Sequence, residues 1–146
     1  MLIADILREK GAHVETTKSS TRLIDAIKML ATQRIGALLV SEDGRTIDGI
    51  LSERDVVRAL AEDAIEFSER KVGDLMTRGV YTCSPDATVA SVMELMDEKR
   101  IRHVPVTVND ILAGVVSVRD IVNARLQEAE SESAELANYI ARPSLS

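Results

Sequence analysis

Aromatic side chains are almost missing: the 146 residues hold Phe67, Tyr81 and Tyr139 and no tryptophan. A groove that grips single-stranded nucleic acid needs rings on which bases stack, so that class is disfavoured. The core must come from Ile, Leu, Val, Ala and Met, drawn from an apolar share of 45%. Cysteine occurs once, at Cys83, which excludes an intrachain disulfide and any cysteine-rich metal site. Positive charge is not in excess, with 18 Lys and Arg against 24 Asp and Glu. No general attraction to nucleic-acid phosphates is therefore expected. No apolar run nears the ~20 residues that span a bilayer. The opening Met1-Leu2-Ile3-Ala4 is too short for a signal peptide, so a soluble, cytoplasmic protein without membrane partners is expected. Catalytic signatures are missing too. There is no phosphate-cradling glycine loop, no metal-ligand spacing, and His13 and His103 pair with no nucleophile in the sequence. Neither an enzyme nor a bound metal is expected.

What the sequence does contain is a copy of itself. Val14 through Val40 lines up with Val80 through Val106 without a gap. Thr16 falls on Thr82, Arg34-Ile35 on Arg100-Ile101, and Val40 on Val106. One loop residue is then deleted. Gly49 next meets Gly114, Ser52 meets Ser117, Arg54-Asp55 meets Arg119-Asp120, and Val57 meets Val122. The order of element types matches as well, which marks a duplication.

Each copy predicts the same series. A short extended lead-in (Val14 to Thr17; Val80 to Cys83) reaches a helix N-cap at Thr21 or Thr88. Leu23, Ala26, Ile27, Leu30 and Ala31 recur at helical spacing in the first copy, as do Val89, Val92, Met93 and Met96 in the second. A wholly apolar strand follows, Ala37-Leu38-Leu39-Val40 or His103-Val104-Pro105-Val106, a run that suits burial on both faces. Pro105 has no N–H for a ladder, which predicts an edge position or a sheet that opens there toward a ligand. A turn at Glu42-Asp43-Gly44-Arg45 or Asn109-Asp110 leads to a second strand from Gly49 or Gly114, running straight into a helix from Asp55 or Asp120. The class is α/β, with a β-α-β-β-α unit used twice. The expected division is an N-terminal helical segment at 1–13, a first unit at 14–61, a linker at 62–79, a second unit at 80–126 and a charged helical tail at 127–146. From Pro143 onward the tail is expected to fray.

The duplicated unit resembles a pair of CBS (cystathionine β-synthase) domains, a Bateman module. The residues that carry the likeness are Arg100-Ile101-Arg102-His103-Val104-Pro105-Val106 and Gly114-Val115-Val116-Ser117-Val118-Arg119-Asp120, with their first-copy counterparts at 34–40 and 49–55. Asp74-Leu75-Met76-Thr77 resembles the segment that introduces a second copy. The resemblance implies a pseudo-twofold disc in which the two units pack sheet against sheet and leave two related clefts. It implies a regulatory ligand there, AMP, ADP, ATP, NAD(H) or S-adenosylmethionine, with no cofactor required. It also implies pairing of modules, hence a homodimer, and a regulated protein partner. The alternative is a ligand-free oligomerisation module.

Site roles follow from the same resemblance. Asp120 and Asp55 would accept hydrogen bonds from ribose hydroxyls, or simply cap the helices they open. Ser117 and Ser52 would bond the ribose or phosphate, or be the N-caps themselves. Arg102 and His103 would face phosphates, a guanidinium matching a phosphate in forked geometry. The first copy has Gly36 and Ala37 there, so phosphate selectivity is expected at the second copy. Arg119 and Arg54 either reach phosphates or pair with acidic residues at an interface. Thr16, Thr82, Cys83, Ile35, Ile101, Val104 and Pro105 would line an adenine slot or serve as core.

Overall fold

The computed structural model describes residues 1–62 and 64–141. The first copy holds strand β1 (Thr16–Thr17), helix α2 (Leu23–Gln33), strands β2 (Ala37–Val40) and β3 (Gly49–Ser52), and helix α3 (Glu53–Glu62). Helix α1 (Ile3–Lys10) precedes it. After a 3-10 turn at Phe67–Glu69, helix α4 (Val72–Leu75) leads to the second copy. That copy holds helix α5 (Val89–Lys99), strands β4 (His103–Val108) and β5 (Ile111–Ser117), and helix α6 (Val118–Ala141). The predicted second helix and tail are thus one continuous helix. The notional fraying beyond Pro143 lies outside the described residues.

The first sheet runs β1-β2-β3, with β1 parallel and β3 antiparallel to β2. The second pairs β4 with β5, and its lead-in touches β4 through one parallel bridge, Cys83 to Val106. Pro105 explains the difference. In the first copy the Leu39 N–H reaches the Glu15 carbonyl at 3.4 Å. The matching residue is Pro105, which has no N–H to give. The lead-in is held instead by Cys83, whose N–H donates to Pro105 O at 3.0 Å and whose carbonyl accepts from Thr107 N–H at 2.9 Å. Pro105 is therefore not on an edge strand: β4 lies between β5 and this bridge.

Helix ends repeat with the sequence. Both α2 and α5 stop on an arginine in the left-handed conformation, Arg34 (φ 55°) and Arg100 (φ 54°). The next N–H then reaches back to Leu30 O at 3.1 Å or Met96 O at 3.0 Å. The predicted caps differ from each other. Thr88 caps α5, accepting from Ser91 N–H at 3.1 Å. Thr21 does not cap α2; Arg22 stands at that position, and the Thr21 hydroxyl accepts from Thr17 Oγ1 at 2.9 Å. The alignment already pairs Thr21 with Ala87 and leaves Arg22 opposite Thr88, so the prediction was one residue early.

The two cores exchange their leading helices. Ile3 and Ile6 of α1 are buried with Val89, Val92, Met96, Val104, Val106, Val116, Ile121 and Ala124 of the second copy. Val72 of α4 and the neighbouring Met76 are buried with Leu23, Ala26, Leu30, Leu38, Val40 and Leu51 of the first. The docking bonds are duplicates. Ile3 and Ala4 N–H donate to Ala87 and Pro85 O, while Val72 and Gly73 N–H donate to Thr21 and Ser19 O, all at 2.9 Å. Asp5 and Asp74 cap these helices alike, accepting from Leu2 N–H (2.8 Å) and Lys71 N–H (2.9 Å). Gly114 allows the approach: a Cβ there would lie 2.7 Å from Leu7 Cδ2. The apolar side of α1 is used within the chain and does not remain as a surface for a second copy.

Candidate functional site

The start of each Ser-x-x-Asp helix is a reciprocal cap. Ser117 N–H and Oγ–H donate to Asp120 Oδ2 at 2.8 and 3.2 Å, and Asp120 N–H donates back to Ser117 Oγ at 3.3 Å. Ser52 and Asp55 repeat this at 2.9, 3.0 and 3.3 Å. The capping reading of both aspartates and both serines is therefore realised. Strand register then sets His103 directly opposite Ser117, and Val118 N–H donates to Arg102 O at 2.9 Å.

Where the two copies face each other, a cleft of about 640 Å³ opens. Its apolar wall comes from Val14, Ile35, Ala37, Leu39 and Ile50 of the first copy and Val115 of the second. Arg34, Arg102, Arg119 and Lys10 bring positive charge to it. Glu15 lines it as well, with its carboxylate 2.8 Å from His13 Nε2. Ser117 and Val118 complete the second-copy side.

His103 reaches across the pseudo-twofold. A Cβ on Gly36 would lie 3.1 Å from its Cε1 and 3.3 Å from its Nε2, so the glycine is what admits the ring. Burial holds the His103 imidazole below its usual pKa; Asp120 and Glu53 oppose that shift, and Lys10 and Arg102 add to it. Gly36 matches Arg102 in the repeat. The difference read as a loss of phosphate contacts in the first copy is thus also a steric complement to a histidine of the second.

Of the residues singled out in the sequence, Arg102, His103, Arg119, Ser117 and Ile35 line this cleft together. Ser52, Arg54, Asp55, Thr82, Cys83 and Ile101 do not line it. Thr16 lies in β1 beside Leu39, next to the lining residue Glu15. Val104 is fully buried in the second core, where alternation along the strand turns it, and Pro105 is buried in β4 and does not line this cleft. Ile101 packs against the same core. Burial pushes the Cys83 thiol up to about 11, which keeps it protonated. Asp120 does not line the cleft either. It faces a smaller cavity of about 220 Å³ with Ile6, Glu9 and Lys10.

Lys10, His13, Glu15 and Arg34 are cleft residues that sequence reasoning missed. A signal for Lys10 existed: Leu2-Ile3-Ala4-Asp5-Ile6-Leu7 aligns with Lys71-Val72-Gly73-Asp74-Leu75-Met76, so α1 belongs to the repeat. Among the described residues no cluster of His, Cys, Asp and Glu could hold a metal ion, and no helix is long and apolar enough to cross a membrane.

The comparisons agree with this geometry. The CBS domain family profile matches residues 3–62 and again 72–127. A CBS domain-containing protein of Arabidopsis thaliana, CBSX3, mitochondrial, is 32% identical over 94% of this chain and 71% of its own length. Other curated relatives are longer, and the chain spans 37% and 34% of two of them. The crystal structure of the CBS-domain containing protein ATU1752 from Agrobacterium tumefaciens is 36% identical, with a TM-score of 0.82 over 86% of this chain and 99% of that one. The CBS domain pair of protein MJ0100, solved with 5-methylthioadenosine and S-adenosyl-L-methionine, is 29% identical, with a TM-score of 0.75 over 89% and 98%. Twice-matched profile, exchanged leading helices and pseudo-twofold cleft lead to one assignment: the chain belongs to the CBS domain family and is a tandem CBS pair.

Proposed function

We propose that this CBS pair is a non-catalytic regulatory module that binds an adenine nucleotide in the cleft between its halves. The observation that carries the reading is the cleft itself. Its volume of about 640 Å³ falls within the range of small-molecule sites, and its apolar wall suits a flat heterocycle. Lys10, Arg34, Arg102 and Arg119 suit phosphates, in a chain whose net charge is −6. The likeness to MJ0100, whose structure holds adenosyl compounds, supports an adenosine core. In this reading Arg102, Arg119 and His103 meet phosphate, Ser117 meets the sugar with Asp120 behind it, and Ile35 borders the base. Ser52, Asp55 and Arg54 would do the same on the pseudo-equivalent side. A cytoplasmic setting fits the lone protonated thiol.

Thermal shift with AMP, ADP, ATP, NADH and S-adenosylmethionine tests this. A ligand at 100 times its Kd stabilises by about 2.7 kcal/mol, or roughly 5–10 °C in a chain of this size. A flat response to all five removes the sensor reading. One observation favours a second role alongside it. Val57 and Leu60 on α3, and Val122 and Leu126 on α6, are exposed apolar residues on helices related by the repeat. A face with its own approximate twofold can meet a second copy of itself, which points to a homodimer.

A further inference from the structure

We propose that Lys10 makes this cleft demand a phosphate, by holding the ribose seat closed until an anion draws it away. The inference rests on the adenine-nucleotide reading above and narrows the ligand class within it.

Lys10 ends α1 and lines both the 640 Å³ cleft and the smaller cavity that contains Asp120. Its Nζ donates to Asp120 Oδ2 at 2.8 Å and to Val115 O at 2.9 Å. The same carboxylate oxygen takes both Ser117 bonds, so three donors converge on it. The pair is partly sheltered, with the lysine side chain 36% and the aspartate 19% exposed. The other half shows what Lys10 adds. Asp55 has the two Ser52 bonds and no ion pair among the described residues.

A ribose that seeks Asp120 from the cleft must therefore displace an ammonium. Breaking this contact strips the partly exposed ammonium of its carboxylate and carbonyl partners while Asp120 keeps its Ser117 bonds, a modest cost that a new anionic partner for Lys10 offsets. A phosphate on the same ligand is such a partner: it lies in reach of the cleft that Lys10 already lines, beside Arg102 and Arg119, and frees the carboxylate for the two sugar hydroxyls. A nucleoside offers no compensation. A sulfonium nucleoside is worse placed, because it carries positive charge toward a cluster of four cations. The ligand class is thus a phosphorylated adenosine, in contrast with the compounds seen in MJ0100.

The test is calorimetry on the full chain with AMP, adenosine and S-adenosylmethionine, in wild type, Lys10→Met and Lys10→Arg, each checked for its Tm. The wild type should prefer AMP to adenosine by at least about 100-fold and bind S-adenosylmethionine no better than adenosine. Lys10→Met should weaken AMP while leaving adenosine equal or tighter, cutting that ratio at least tenfold. Lys10→Arg, which keeps the charge, should keep most of the ratio even if its fold is slightly less stable. A ratio unchanged in Lys10→Met, a parallel loss for AMP and adenosine, or tight S-adenosylmethionine binding by wild type each overturns the proposal while leaving an adenosyl-binding module. Failure of all three compounds to bind wild type overturns this inference, and the functional reading falls with it where ADP, ATP and NADH fail as well.

Discussion

At the scale of single residues, His103 joins fold and ligand most directly. Its ring is held against Gly36, and burial keeps its pKa below the ordinary value near 6.5. As pH falls, the unfolded chain takes the proton first, so the folded state loses relative stability from about pH 6.5 down through the depressed folded value. Above that window the contribution is fully present. Wild type should therefore lose more stability between pH 7.5 and 5.5 than His103→Gln, measured by urea titration at both values. Equal losses in the two proteins would remove His103 as the titrating group. Bound nucleotide should shrink the difference, because an anion beside the ring favours its charged form. Cys83 offers no such switch in this range, its thiol being raised to about 11.

At the scale of elements, α1 counts as part of the second copy although it precedes the first in the chain. Ile3 is fully buried there, and truncation to alanine should cost about 2–5 kcal/mol in a urea melt, as for a core isoleucine. An effect below about 0.5 kcal/mol, the level of a surface change, would contradict the exchange of helices. The same element marks the boundary of what the sequence disclosed. Strands, helices and the Ser-x-x-Asp caps were legible, because period-2 and period-3.6 patterns occurred twice in the same order, each occurrence checking the other. The helix exchange was not, because the short matching stretch at 2–7 and 71–76 is joined to the rest of the repeat by loops of unequal length. For the site, Arg102, Arg119, Ser117 and His103 were within reach, since motif position alone set them at strand and helix ends. Arg34 was not: its relevance depends on where the two copies face one another, and no local pattern encodes that. For Lys10 the short match at 2–7 and 71–76 was a signal that α1 belongs to the repeat, but not that Lys10 lines the cleft. Val104 stood open between slot and core for a related reason. Its alternation partner His103 faces the cleft, so Val104 faces the core, and a fully apolar strand conceals which is which.

At the scale of the whole molecule, the cleft draws on both copies, so any ligand filling it binds the two halves together and resists their separation. A module that reports such an event needs a surface on which the change is read. Exposed apolar positions on the repeat-related stretches of α3 and α6 are Val57 and Leu60 with Val122 and Leu126; Val57 is 66% and Leu126 56% exposed. Inside α6 the buried Ile121 and Ala124 face the core, so Val122 and Leu126 stand on the outer side of the same helix. If a second copy covers that side, light scattering should give twice the 16.0 kDa chain mass at micromolar concentration. Leu126→Glu should return it to the single-chain mass without changing the far-ultraviolet spectrum, since a buried carboxylate without a partner is not tolerated at an interface centre. A wild type that is monomeric at these concentrations would remove the pairing, and a Leu126→Glu variant that stays dimeric would place its surface elsewhere. Because Leu126 touches neither the cleft nor the two cores, nucleotide affinity should survive this substitution, which separates sensing from assembly in one variant.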